Sequence, residues 1–212
     1  MMKLQTPMRL KSFYPILDTE TALRRGIDPV AAAAQILEGG ARLLQFRHKG
    51  FFSRDVFDQA RQIRALCQSA DAMFVINDRA DVARLLGAAL HLGQDDLSPS
   101  DARRVLGDGA VVGFSTHNEG QIRAAAEQPV DYLAFGPIFG TSSKLNSDPA
   151  VGLDELRRLR PLTARPLVAI GGITRANARS VIEAGADSVA VIGDLFPEDG
   201  KIRLRIEEWL KI

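Results

Sequence analysis

The sequence predicts an α/β protein of the (β/α)8 TIM-barrel class, built as a single domain over residues 1–212. The first observation behind this is a repeated unit: a helix closed by Gly and followed at once by a short strand. Glu38-Gly39-Gly40-Ala41 leads into Leu43-Leu44-Gln45-Phe46, Leu86-Gly87-Ala88-Ala89 into Leu90-His91-Leu92-Gly93, and Ala184-Gly185-Ala186-Asp187 into Val189-Ala190-Val191-Ile192. The second is the alternation of eight strand-like segments with helical ones in about 180 residues, which implies parallel strands covered by helices and favours closure into a barrel. The third is an absence. No Gly-x-Gly-x-x-Gly follows the first strand and no Gly-Lys-Ser/Thr loop occurs, so the usual nucleotide-binding forms of an open sheet are not indicated.

In chain order, the first strand is the apolar run at 13–17, and helix 29–38 ends at Gly39-Gly40. Strand 42–46 follows, then helix 53–69, marked by Val56, Ala60, Ile63 and Cys67 at helical spacing. Strand 73–77, helix 79–86 and strand 89–92 come next, with Gly87 between the last two. Ser98 followed by Pro99 opens helix 99–107, and strand 110–114 succeeds it. Asn118 with Gln121 three residues on opens helix 118–127, which Pro129 separates from strand 131–135. After one long irregular connection, Gly136 to Gly152, come helix 152–160, strand 166–170, helix 174–184 opened by Thr174, strand 187–192 and a last helix near 201–210.

A chain of 212 residues is long enough for one well-buried core and short for two. Lys and Arg total 27 against 26 Asp and Glu, a formal net charge of +1, so no global field recruits nucleic acid or an anionic membrane and any positive site is local. Cys67, the only cysteine, falls on the apolar face of its helix and reads as a small core residue without an internal disulfide partner. There is no secretory hydrophobic segment near the N-terminus and no stretch long enough to span a bilayer, so a cytoplasmic location is expected. A homo-oligomer is left open, including whether Trp209 and the last helix make a subunit contact.

In a barrel the chemistry collects at the C-terminal ends of the strands. In Leu43-Leu44-Gln45-Phe46-Arg47-His48-Lys49 the two-residue period puts Gln45, Arg47 and Lys49 on one side and Leu44, Phe46 and His48 on the other. Arg47 as a planar fork and Lys49 as a point charge would then converge on something anionic, in the manner of a phosphate or pyrophosphate grip, while the same residues also read as a strand running out into solvated charges. Asn77-Asp78-Arg79 follows strand 3, and Gln94-Asp95-Asp96 follows strand 4. Asp78 and Asp96 on neighbouring loops suit a hard-oxygen site for Mg²⁺ shared with a phosphorylated substrate. The same positions also read as a turn capped by Asp95 or Asp96 and a solvated helix start at Arg79 and Asp81. Zinc is not indicated, because His48, His91 and His117 lack close ligand spacing and one Cys is present. Strand 5 ends in Gly113-Phe114-Ser115-Thr116-His117, and strand 6 runs into Gly136-Pro137-Ile138-Phe139-Gly140-Thr141-Ser142-Ser143-Lys144, a loop with the composition of a phosphate cradle. Ile170-Gly171-Gly172-Ile173 and Val191-Ile192-Gly193-Asp194 end strands 7 and 8, where barrels of this kind often bind phosphate on backbone N–H groups.

Taken in order, Gln45-x-Arg47-x-Lys49, Asn77-Asp78-Arg79, His91 to Leu97, Gly113-x-Ser115-Thr116-His117, Asp131 to Lys144 and Ile170 to Ile173 resemble the thiamine phosphate synthase family, over nearly the whole chain. The resemblance implies a Mg²⁺-dependent transferase that joins a hydroxymethylpyrimidine diphosphate to a thiazole phosphate and releases pyrophosphate, through a pyrimidine cation captured by the thiazole nitrogen. It implies that Gln45, Arg47, Lys49, Asn77 and Lys144 hold the diphosphate substrate, that Asp78 and Asp96 hold the metal, and that Ser115 lies at the reacting pyrimidine. Arg47, Lys49, Ser115 and Lys144 would carry the catalysis, and Thr141, Ser143, Gly172, Ile192 and Gly193 would surround the thiazole phosphate. Two residues depart from the family pattern: Ser143 stands where Thr is common, and Gly193 where a Ser commonly donates to the thiazole phosphate. The other readings are a thiazole tautomerase-like relative, which does not need the metal pair, and a non-catalytic barrel that binds a phosphorylated ligand.

Overall fold

In a computed structural model the described residues are 10–107, 109–140 and 149–212. Strands β1 (Phe13–Asp18), β2 (Leu43–Arg47), β3 (Met73–Asn77), β4 (Ala89–Leu92), β5 (Val112–Thr116), β6 (Tyr132–Phe135), β7 (Leu167–Ile170) and β8 (Ser188–Val191) pair in sequence order and close into a parallel barrel through β1 and β8. Around them lie α1 (Thr19–Arg24), α2 (Pro29–Glu38), α3 (Arg54–Ser69), α4 (Ala80–Leu86), α5 (Pro99–Leu106), α6 (Glu119–Ala126), α7 (Gly152–Leu159), α8 (Ala178–Glu183) and α9 (Ile202–Trp209). The expected fold class is therefore the observed one.

Strand alternation divides the apolar residues into two cores. Tyr14, Ile16, Leu43, Val75, Ala89, Tyr132, Ala134, Val168 and Ala190 fill the barrel, whereas Leu17, Leu44, Phe46, Ile76, Leu90, Leu133 and Val189 face the helix layer. Leu44 and Phe46 thus point outward and Leu43 and Gln45 inward, the orientation read from the sequence. Cys67 is fully buried in the outer layer, and burial pushes its thiol up to about 12, which makes it a packing residue. Trp209 of α9 is also core: it stacks on Phe13 with ring centroids 5.1 Å apart and donates Nε1–H to Asp194 at 2.9 Å. Among the described residues no helix is long and apolar enough to cross a membrane.

Three departures from expectation exceed one residue at the end of a strand or α-helix. Helix α1 was not anticipated; Asp18, the last residue of β1, opens it by accepting from Thr21 N at 2.8 Å and from the Thr21 hydroxyl at 2.7 Å. Strand β5 starts at Val112 and reaches Thr116, two residues later than the expected 110–114. The cause is a carboxylate lock at the barrel's base: Asp131 accepts from Val112 N at 2.7 Å and from Arg103 Nη2 at 2.6 Å, while Arg103 also binds the Ala110 carbonyl. Asp187 repeats the device on Leu167 N at 2.8 Å, with Arg160 as its cation at 3.1 Å. Helix α8 starts at Ala178, because residues 174–177 form a turn in which the Asn177 side chain accepts from Thr174 N at 2.8 Å and donates to the Gly172 carbonyl at 3.0 Å. Thr174 is consequently no cap. The caps expected at Ser98 and Asn118 do form, Asn118 accepting from Gln121 N at 3.0 Å.

Candidate active site

The C-terminal rim of the barrel starts with a pair imposed by register. Asp18 is the direct cross-strand partner of Arg47, both side chains face inward, and Arg47 Nη1 donates to Asp18 Oδ2. The pair is buried, with side chains 10% and 2% exposed. Arg47 therefore reaches the rim held by a carboxylate that sequence reasoning missed. The signal was present: Tyr14, Ile16 and Asp18 alternate on one strand face, and Thr19-Glu20-Thr21 after an Asp is a helix-start pattern.

Beyond the end of β2, Lys49 Nζ donates to Asp78 Oδ2 at 2.5 Å. Asp78 has a left-handed backbone, φ 65°, which an Asp tolerates better than most residues. Its N–H donates to the His91 carbonyl at 2.8 Å, tying the β3 loop to β4. Its carboxyl also shares a hydrogen bond with Asp96. Burial first, and that bond second, raise Asp78 to about 6. Asp96 in turn closes the turn after β4 by accepting from Gly93 N at 2.6 Å. Asp96 thus follows the turn-capping reading of the sequence and, in the same position, stands beside Asp78. Arg79, by contrast, follows the plainer reading and pairs with Asp81, Nε to Oδ1 at 2.9 Å.

The Asp78 and Asp96 carboxyls are neighbours, and hard oxygens of this kind would suit Mg²⁺. Among the described residues no group of three or more His, Cys, Asp or Glu forms a metal cage, so further ligands would come from substrate oxygens and water. Next to Asp78 in sequence, the buried Asn77 Nδ2 has no hydrogen-bond partner among the described residues. A buried amide left without an acceptor is costly, and an anionic ligand oxygen would satisfy it.

Gln45 Nε2 donates to Tyr14 Oη at 2.9 Å inside the barrel, and Ser115 Oγ lies 3.0 Å from His91 Nε2. The Ser115 carbonyl accepts from Gln94 Nε2 at 2.5 Å, and His117 Nδ1 donates to the Gly136 carbonyl at 2.6 Å, so the β4, β5 and β6 loops are tied together. On the far rim, Gly171 and Gly172 have φ of 101° and 61°, and a Cβ on Gly172 would lie 2.5 Å from the Gly140 carbonyl oxygen. Only glycine allows that close approach. Ile138 N and Phe139 N donate to the Ile170 and Gly171 carbonyls at 2.8 and 3.1 Å, which pins the start of the long β6 connection against β7. Ile192 is buried and leads into a 3₁₀ turn at Gly193–Leu195. Thr141, Ser143 and Lys144 lie outside the described residues.

Residues 13–195 match the family model described as thiamine monophosphate synthase. The chain is 49% identical over 212 residues to a thiamine-phosphate synthase of Koribacter versatilis, with 97% of each chain covered. It is 38% identical over 182 residues to that of Chloroflexus aurantiacus, covering 85% of this chain and 84% of the other. Among solved structures it resembles a thiamine phosphate pyrophosphorylase from Pyrococcus furiosus, with a TM-score of 0.83, 30% identity and 96% of each chain covered.

Proposed function

The chain belongs to the thiamine monophosphate synthase family, a family of transferases, and from that premise we propose that it condenses a hydroxymethylpyrimidine diphosphate with a thiazole phosphate, using Mg²⁺ held by Asp78 and Asp96. The observation that supports the metal and diphosphate assignment is the juxtaposition of Asp78 and Asp96, with Lys49 against Asp78 and the unpartnered Asn77 amide beside it. A diphosphate leaves readily only when its developing charge is neutralised, and a bound Mg²⁺ would supply that neutralisation as a Lewis acid. Lys49 adds an ammonium. Arg47 offers the guanidinium N–H groups that Asp18 does not occupy, held in one orientation by that pair. Ser115 lies at the reacting pyrimidine in this reading, and Lys144 joins the diphosphate from the β6 connection. The Gly171-Gly172 turn and the start of the 3₁₀ turn at Gly193 receive the thiazole phosphate, with Thr141, Ser143 and Ile192 around it. No nucleophilic side chain is required, because the pyrimidine cation is captured by the second substrate. A cytoplasmic location belongs to the same reading, supported by the single buried, unpaired Cys67.

The test is release of pyrophosphate. It is expected only when both substrates and Mg²⁺ are present together; release from the diphosphate alone, or none at all, overturns the reading. A thiazole tautomerase or a purely binding barrel releases none.

Gly193 refines the second phosphate site. A Cβ built there meets nothing within 4 Å, so Ser fits without displacing a neighbour. A hydroxyl donating to a charged group contributes about 1.5–3 kcal/mol. Gly193→Ser is therefore expected to lower KM for the thiazole phosphate about tenfold, ~1.4 kcal/mol, and to leave KM for the diphosphate unchanged. Steady-state kinetics varying each substrate in turn checks this, and a change confined to the diphosphate would place Gly193 elsewhere.

A further inference from the structure

Five side chains inside the barrel form one continuous hydrogen-bonded row. Gln45 Nε2 donates to Tyr14 Oη at 2.9 Å, and Tyr14 Oη lies 2.7 Å from Tyr132 Oη. Tyr132 Oη lies 3.0 Å from His91 Nδ1, and His91 Nε2 lies 3.0 Å from Ser115 Oγ. Gly113, in register with both His91 and Tyr132, makes the row possible, because a Cβ there would fall 2.0 Å from the Tyr132 ring. Tyr14 and Tyr132 are sealed from solvent, and burial holds both phenols above their usual range, so each keeps its proton.

The direction of donation follows from proton counts. The Gln45 amide nitrogen has only hydrogens to offer, so Tyr14 Oη accepts and gives its own hydrogen to Tyr132 Oη. Tyr132 then gives its hydrogen to His91 Nδ1. A neutral imidazole that accepts at Nδ1 carries its proton on Nε2, and that proton goes to Ser115 Oγ. The hydrogen of Ser115 is left to point away from the row. We propose that Tyr14, Tyr132 and His91 are positioning residues of a one-way relay, begun at Gln45, that presents Ser115 as a hydrogen-bond donor to the diphosphate substrate. A donor is what a departing diphosphate oxygen needs as its charge develops. The opposite tautomer would turn the Ser115 hydrogen back onto His91 and offer lone pairs to that oxygen.

This rests on the placement of Ser115 at the reacting pyrimidine, and the experiment separates the two ideas. In ¹⁵N NMR of histidine-labelled wild-type protein, His91 is expected as the neutral Nε2–H tautomer; an Nδ1–H tautomer overturns the relay whatever the enzyme does. Tyr132→Phe keeps the ring that stacks on His91, with centroids 5.6 Å apart, but cuts the row. It is expected to abolish the tautomer preference and to lower kcat about tenfold with KM for the thiazole phosphate unchanged. In a Ser115→Ala background the same substitution is expected to have no further effect. Wild-type kcat in Tyr132→Phe, or an equal loss in both backgrounds, refutes the relay. Failure of the functional reading looks different, as wild-type protein that releases no pyrophosphate.

Discussion

Asp78→Asn and Asp96→Asn are each expected to reduce turnover about 100-fold or more, which is ~2.7 kcal/mol at ~1.36 kcal/mol per tenfold step, while the protein stays folded. The substitutions are isosteric. Asn also tolerates the left-handed backbone of residue 78, φ 65°, where Ala would add strain to the loss of charge. Binding supplies a second readout that does not depend on turnover. Burial and the neighbouring Asp96 push the Asp78 carboxyl above the usual carboxylate range, up to about 6, because they favour its protonated form. A carboxyl raised in this way holds its proton more tightly in the folded state. Its contribution to stability is full below about pH 4 and is lost as pH rises from there through about 6. Mg²⁺ competes with that proton for the same oxygens. The rise in melting temperature on adding Mg²⁺ should therefore be larger at pH 7.5 than at pH 5, and absent in Asp78→Asn. Wild-type activity at limiting Mg²⁺ in both variants, or a Mg²⁺ effect that ignores pH, removes the metal from this pair.

The pair was legible in the sequence because two carboxylates followed adjacent strands, and strand order in a barrel fixes which loops are neighbours. The inward side of Arg47 was legible for a different reason: strand period 2 sends alternate residues to opposite faces, and Leu44 and Phe46 identify the helix-facing side, whereas Lys49 lies past the end of β2. What stayed hidden were relations between distant positions. Nothing near Asp18 says that residue 47 will stand beside it, since that follows from the β1–β2 register alone. The row from Gln45 to Ser115 draws on five strands and needs a glycine at 113 to make room for a ring at 132. Strand β5 was misplaced because Val111 and Val112 carry the same apolar signal, and only the Asp131 carboxylate decides where pairing starts. Helix α8 was drawn too long because Thr174 is a good cap by type, whereas the Asn177 side chain takes the Thr174 N–H and sets the true start.

Arg47→Ala is expected to fail in two separable ways. As a grip on the diphosphate, loss of a buried charge-assisted contact lowers kcat/KM by roughly 2–5 kcal/mol of transition-state binding. As the partner of Asp18, its loss leaves a carboxylate with a side chain only 2% exposed, and breaking such a pair costs about 3–5 kcal/mol of stability. Asp18→Asn in the same chain discriminates between the two. Asn still accepts from Thr21 N, so it preserves the start of α1, and it removes the stranded charge. The double variant should accordingly regain most of the chemical-denaturation stability that Arg47→Ala loses, yet none of its kcat/KM. His48→Ala is the control from the opposite face. It gives up a 2.8 Å contact with Thr19 Oγ1 and a 3.2 Å one with the Phe51 carbonyl, neutral bonds worth about 0.5–1.5 kcal/mol each, and should leave diphosphate KM nearly unchanged. If His48→Ala and Arg47→Ala raise that KM equally, Arg47 does not face the diphosphate. If the double variant recovers activity along with stability, the sole duty of Arg47 is to neutralise Asp18, and Lys49, just past the end of β2, is left as the cation that meets the substrate.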